Sequence, residues 1–408
     1  MKLRSLQVVG LASVMALAAC AGQSNSALPS TASAPVGGVP ESNVIASCGN
    51  LAAGDEVTCF ALQRTDIGDA AAFYFPGRVS LQSTSVSGYG PSDLQSAYKL
   101  ATSGGSGQTV AIVDAYNDPN AENDLGVYRA HYGLSACTTA NGCFRKLNQN
   151  GAAGSYPRSN AGWGQEISLD LDMVSAICPN CHIMLVEAKT ATNANLGTAV
   201  NTAVAKSANV VSNSYGGSET GSSNSAYSHA GHVIVASAGD SGTGASQPCS
   251  YGTVVCVGGT ALNRAGNSRG WSETVWSGSG SGCSALVSKP SWQTDSGCSK
   301  RSEADVSAVA DPNTGVAVYD SYGSRGQTGW LVFGGTSVAS PLIGAVYALA
   351  GNASSQNAAQ GIWNNAGRNL FDVTSGSNGS CSISYICNAG VGYDGPTGWG
   401  TPNGATAF

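Results

Sequence analysis

Between residues 89 and 350 short apolar runs alternate with longer stretches of helical periodicity. Gln108–Ala115 (QTVAIVDA) is a continuous apolar run of buried-strand length. His182–Ala188 (HIMLVEA), Asn209–Asn213, His232–Ala236 (HVIVA), Val254–Val257, Val316–Tyr319 and Leu331–Phe333 repeat that texture. Helical patterns begin at Pro91, with Ser92 as N-cap, and recur over Ala121–His131, Trp163–Ile177, Asn195–Ala205 and Ser337–Ala350. This alternation predicts an α/β fold, a central, mostly parallel β-sheet with helices on both faces. Sites in such sheets form beyond the carboxyl ends of the strands. Asp114, Asp240 and Ser337 each fall at or just after the end of a predicted strand, so all three are expected on one rim.

The chain ahead of residue 89 has another texture. Residues 1–20 set Lys2 and Arg4 before the apolar Leu6–Leu17 and end in Leu17-Ala18-Ala19-Cys20, which resembles a bacterial lipoprotein signal with Cys20 acylated. An ordinary signal peptide cut near Ala19 is the alternative. Residues 21–45, rich in Ser, Ala, Gly and Pro, read as a flexible tether. Residues 46–88 carry one cysteine pair and read as a small N-terminal segment or appendage, and 89–408 form the main domain.

Composition narrows the classes. With 18 Lys+Arg against 24 Asp+Glu and no basic run, a nucleic-acid partner is not expected. Membrane contact is expected only through a lipid at Cys20, and the chain is expected to be an exported monomer, in the cell envelope or secreted. Of 13 cysteines, Cys20 stands apart. The rest form neighbouring pairs: Cys48/Cys59, Cys137/Cys143, Cys178/Cys181, Cys249/Cys256, Cys283/Cys298 and Cys381/Cys387. An even set in an exported chain points to disulfides. Cys178-Pro-Asn-Cys181 with His182 could instead open a zinc site, but no second C-x-x-C accompanies it.

Candidate chemistry centres on Gly334-Gly335-Thr336-Ser337. Glycines let the backbone turn sharply from strand to helix and expose the serine, which is either a nucleophile or simply a helix cap. Pro341 is expected in the first helical turn, where a missing N–H costs little. A nucleophilic serine needs a base. The four histidines, His131, His182, His229 and His232, lie in no recognisable base setting, and two of them open apolar strands. The alternative base lies in Trp163–Ile177. Glu166 and Asp170 share a helix face, with Cα atoms about 6 Å apart. If buried, the pair would hold a shared proton. If exposed, it is only an acidic face. The apolar residues around it favour burial, whereas Asp172 is expected to point outwards.

These segments resemble the sedolisin (serine-carboxyl peptidase) family. Glu166-Ile-Ser-Leu-Asp170 with Pro179 and HIMLVEA is similar to its Glu-x-x-x-Asp helix and following strand. HVIVASAGDSG is similar to its oxyanion-aspartate loop, VVSNSYG to its substrate-side strand, and Phe333–Pro341 to its nucleophile segment. The resemblance covers about residues 89–408. It implies a subtilisin-like fold and an endopeptidase acting on polypeptides at acidic pH. The implied roles are Ser337 as nucleophile, Glu166 as base, Asp170 as its proton-sharing partner and Asp240 as protonated oxyanion donor. It also implies one structural Ca²⁺, held by Asp372 and Asp394 side chains and the carbonyls of Val373, Gly390 and Gly392. The family carries a long N-terminal propeptide, against which residues 46–88 are a small N-terminal segment or a reduced propeptide. Two other readings stay open: a His-dependent subtilisin-type peptidase using Asp114, which otherwise reads as a structural or loop-capping residue, and an inactive surface lipoprotein of the same fold.

Overall fold

Apolar runs too short for helices and flanked by Gly, Asn and Asp become strands, and a computed structural model describes them within residues 43–49, 56–68, 86–355 and 358–408. Residues 1–20, with Cys20, and nearly all of the tether lie outside the described residues. Three strands precede the first helix: β1 (Val44–Ala46), β2 (Thr58–Cys59) and β3 (Leu62–Gly68). Then come α1 (Pro91–Ala97), β4 (Thr109–Ala115), α2 (Ala121–His131), β5 (Phe144–Asn148), α3 (Ala161–Ile177), β6 (His182–Ala188) and α4 (Asn193–Ala205). Next are β7 (Val210–Asn213), β8 (Tyr215–Gly216), β9 (Val233–Ser237), β10 (Val255–Arg264), β11 (Trp271–Val275), β12 (Gly282–Ser288), β13 (Lys300–Glu303) and β14 (Val306–Val309). A hairpin of β15 (Val316–Ser324) and β16 (Gln327–Gly334) runs straight into α5 (Thr336–Ala350).

The central sheet has eight strands in the order β11-β10-β9-β7-β4-β6-β5, with β14 also on β10, and every pairing except β10–β11 is parallel. β4, β6, β7 and β9 are buried almost throughout, as strands covered on both faces must be. α3 and α5 pack on each other and on β4, and α4 packs on β4, β6 and β7 from the opposite face. The carboxyl ends of β4, β7 and β9 therefore open towards the start of α5, the rim the sequence pattern predicts.

A second, antiparallel sheet has the order β1-β3-β16-β15. The stretch read from sequence as a small appendage is thus built into the body: β3 pairs with β16, the strand that delivers Ser337. All six cysteine pairs are disulfides, each joining the expected neighbours, so Cys178 and Cys181 are not free to hold zinc.

Three local expectations need correction. α1 is capped by Gly90, not Ser92; Pro91 takes the first position and the Asp93 carboxylate accepts the Gly90 N–H at 3.2 Å. Pro341 lies inside α5, because the helix starts at Thr336. Its missing N–H leaves the Ser337 carbonyl without its i+4 helical donor. Asp172 is buried, not exposed: β15 crosses α3 there, and the Tyr319 N–H reaches the carboxylate at 3.0 Å.

Candidate active site

α3 supplies two acids because its sequence is apolar nearly all round. Every residue from Gly162 to Ile177 is buried, so Glu166 and Asp170 go into the interior with it. Both Asp170 oxygens accept from the Ser214 hydroxyl at 2.8 Å, and Ser214 directly follows β7. Glu166 Oε2 accepts from the Ala61 backbone N–H at 2.9 Å. Burial pushes Glu166 well above the usual carboxyl range, and nearby Asp114 adds to it. The Ser337 hydroxyl and the Ala61 N–H pull the other way. Asp170 is likewise driven up by burial, then by Asp114 and Glu166. At neutral pH this trio cannot all be charged, so protons are shared across it.

Ser337 sits in the first turn of α5, where backbone N–H groups lack helical acceptors. The turn is possible because Gly335 adopts φ +93, in the left-handed region. A Cβ at Gly335 would lie 1.8 Å from the Phe60 carbonyl oxygen and 2.7 Å from Asp240 Oδ2. The Ser337 hydroxyl donates to the Ser214 carbonyl at 3.2 Å and accepts from the Phe60 N–H at 3.1 Å.

Asp240 lies in the loop after β9. Its Oδ1 accepts from the Thr336 N–H and hydroxyl, both at 2.8 Å, while Oδ2 has no partner among the described residues. Thr336 also draws in that loop, its hydroxyl accepting from the Gly239 N–H at 3.1 Å. Burial lifts Asp240 to about 7, although both Thr336 contacts lower it. Below that pH the unpartnered oxygen carries a proton it can donate.

The structure therefore brings Ser337, Glu166, Asp170 and Asp240 together. Asp114 joins them: fully buried at the end of β4, with both oxygens unpartnered among the described residues, it caps no loop. Burial and its β6 neighbour Glu187 raise it strongly. The roles of Ser214 and Thr336 are invisible in the sequence, where both are ordinary strand-end residues. The histidines lie elsewhere. His229 and His232 bond to the carbonyls of Ala226 (3.0 Å) and Ala208 (2.7 Å), His131 packs on Trp330, and His182 is exposed at the start of β6.

Far along the chain, Asp394 is buried and lifted to about 7 by burial, with Asp372 adding to the shift. Asp394 accepts from the Gly390 N–H at 3.2 Å, and Asp372 from the Gly392 N–H at 2.9 Å. Neither carboxylate makes an ion pair among the described residues. Two neighbouring acids without a counter-charge, on a glycine-rich loop, fit the donor chemistry of a hard cation.

Comparisons with known proteins bear on the family and the fold. A model of the subtilase family matches residues 151–383, a stretch that takes in Glu166, Asp170, Asp240 and Ser337. Kumamolisin from Bacillus sp. (strain MN-32) is 29% identical over 364 residues, 79% of this chain and 63% of its own length. Sedolisin from Pseudomonas sp. (strain 101) is 36% identical over 174 residues, 38% of this chain and 28% of its own. The chain thus spans less than two thirds of the length of these curated relatives. The solved Pseudomonas sedolisin, a serine-carboxyl proteinase complexed with two molecules of pseudo-iodotyrostatin, superposes with a TM-score of 0.64 at 26% identity. That match covers 78% of this chain and 96% of the other.

The buried acids set a pH dependence for the fold. Burial raises Asp118, Glu187 and Asp240 to about 7 and Asp320 to about 6, above the unfolded values. The folded chain then binds more protons than the unfolded chain between about pH 4 and pH 7. Stability is expected to be full near pH 4 and to fall, by on the order of several kcal/mol in total, as pH rises through 7. Melting curves from pH 3 to 8 check this; a Tm that climbs towards pH 7 contradicts it.

Proposed function

Within the subtilase family, to which this chain belongs, we propose that it is a serine-carboxyl endopeptidase active at acidic pH. One observation carries the reading. The Ser337 hydroxyl, a buried pair of acids and a third acid with a free oxygen converge on the same short stretch of extended peptide, with no histidine among them.

Ser337 Oγ attacks the peptide carbonyl carbon. Glu166 takes the serine proton and passes it to the leaving amine. Asp170, held by Ser214, shares the proton of Glu166 and positions it. As the carbonyl oxygen gains charge, protonated Asp240 and the Ser337 N–H donate to it. The Thr336 contacts fix Asp240 in advance, so little reorganisation is needed. Because Asp240 donates only as the acid, the rate falls as pH rises through about 7.

Asp372 and Asp394, with the carbonyls of Val373, Gly390 and Gly392, would hold one structural Ca²⁺. The cation would supply the charge that two adjacent acids lack. Six disulfides among the described residues support a chain that works in an oxidising, exported setting.

Two sets of measurements check this reading. On an internally quenched peptide at pH 4, Ser337→Ala is expected to lower kcat/KM about 10⁴-fold or more, and Glu166→Gln about 10³-fold. Asp240→Ala should cost about 10² to 10³-fold, whereas Asp240→Asn, a donor at every pH, should retain more activity and flatten the fall near pH 7. Full activity of Glu166→Gln at pH 8 is incompatible with the proposed base. For the cation, chelation should lower Tm above pH 5 and added Ca²⁺ should restore it, while Asp394→Asn should respond to neither; an unchanged wild-type melt removes the metal.

A further inference from the structure

Away from the catalytic acids, a charged pair is buried beside the end of β4. Lys146, on the edge strand β5, places its Nζ 3.0 Å from Glu187 Oε1 on β6. Glu187 has no exposed surface, and only 11% of the Lys146 side chain is exposed. The Tyr156 ring covers the ammonium, 4.6 Å from it to the centroid, and the Tyr156 hydroxyl donates to the Lys146 carbonyl at 3.1 Å. Asp118, in the loop after β4, closes the surroundings. Its N–H donates to Glu187 Oε1 at 3.0 Å, and its carbonyl accepts from Lys146 Nζ. Charge is costly in such a place, and moving one proton from the amine to the carboxyl neutralises both partners.

The amine has a further partner of a different kind. Asn117 Oδ1 accepts from Lys146 Nζ at 2.7 Å. An ammonium only donates, so it must face the oxygen of that amide. With a C=O bond of about 1.23 Å, the amide carbon Cγ lies within roughly 3.9 Å of Nζ. The amide nitrogen is held apart, donating from Nδ2 to the Ser159 hydroxyl at 2.8 Å. Asn117 is buried as well, so an amine, an amide carbon and a carboxyl meet with little water around them. Amides resist amines in solution. Fixed proximity, however, is equivalent to a concentration of about 10⁵ M or more, and a positioned acid–base adds about 10²- to 10⁴-fold.

We infer that the side chains of Lys146 and Asn117 become joined by an isopeptide bond, with Glu187 as the acid–base for the step. Glu187 first takes a proton from the Lys146 ammonium. Burial has already raised this carboxyl to about 7, although Lys146 lowers it. The freed Nζ lone pair bonds to Cγ, and the Cγ–Nδ2 bond breaks. Glu187 gives its proton to Nδ2 and takes one of the two left on Nζ. Nδ2 leaves as ammonia, Nζ keeps one hydrogen as an amide, and Glu187 ends as the acid. The summed charge is zero before and after, and no oxidant, reductant or cofactor is consumed.

The bond ties the loop after β4 to a strand that pairs only with β6 among the described residues. It spans 29 positions and encloses α2 and the Cys137–Cys143 disulfide. A covalent tie there secures the free edge of the central sheet without a further strand. It forms whether or not the chain cleaves peptides.

The test is a peptide map of the full chain carrying Ser337→Ala, which guards against self-cleavage. After reduction and digestion with trypsin, residues 100–129 and 146–158 should be recovered as one branched peptide. Its mass should fall about 17 Da below the sum of the two linear peptides, the ammonia lost, with no cut after Lys146. Adding Glu187→Gln, which keeps both partners and removes the acid–base, should return separate linear peptides, as should Lys146→Arg or Asn117→Ala. Cleavage after Lys146 in the Ser337→Ala chain, with 100–129 at full mass, overturns the inference whether or not the further variants fold. A branched peptide formed in undiminished yield by Glu187→Gln also overturns it.

Discussion

The site depends on keeping carboxyl groups away from water. Glu166 and Asp170 ride into the interior on a helix whose other side chains are mostly apolar, and Asp114 enters from the end of β4. No lysine or arginine ion pair reaches any of the three among the described residues. Such a cluster is tolerable because its members can be acids instead of anions. In the proposed mechanism the same burial makes Asp240 a hydrogen-bond donor and lets Glu166 both receive and return a proton. Under that mechanism stability and chemistry draw on one condition, protons held in the interior, and both would weaken together as the solution becomes less acidic.

Neighbouring groups turn that condition into geometry. Ser214 is the hinge of the arrangement: its hydroxyl anchors Asp170 while its carbonyl receives both Ser337 and Phe60. Thr336 does the same for Asp240 with its N–H and hydroxyl. Neither residue needs to react. Each removes a degree of freedom from a carboxyl that has to stay in place.

The parallel sheet was legible because β4, β6 and β9 are continuous apolar runs, and the acid pair because four residues make one helical turn. The disulfides were legible because each joins sequence neighbours. What escaped was set by contacts distant along the chain. Asp172 reads as exposed until β15 supplies the Tyr319 N–H, 147 positions away. The N-cap moved to Gly90 because Pro91 is pre-shaped for the first helical position. Asp114 reads as a loop residue because nothing local shows that α3 lies beside it. The extended stretch around β2 left the faintest trace. β2 is two residues long, too short for any periodicity, and its Phe60 meets Ser337 across 277 positions.

The hydrogen bond from the Ala61 nitrogen to Glu166 has one more consequence. An amide N–H favours the carboxylate form of its partner, while burial and Asp114 favour the acid. The contact therefore holds Glu166 between its two forms instead of committing it to one. A carboxyl balanced in that way can change its protonation without any neighbouring side chain having to move.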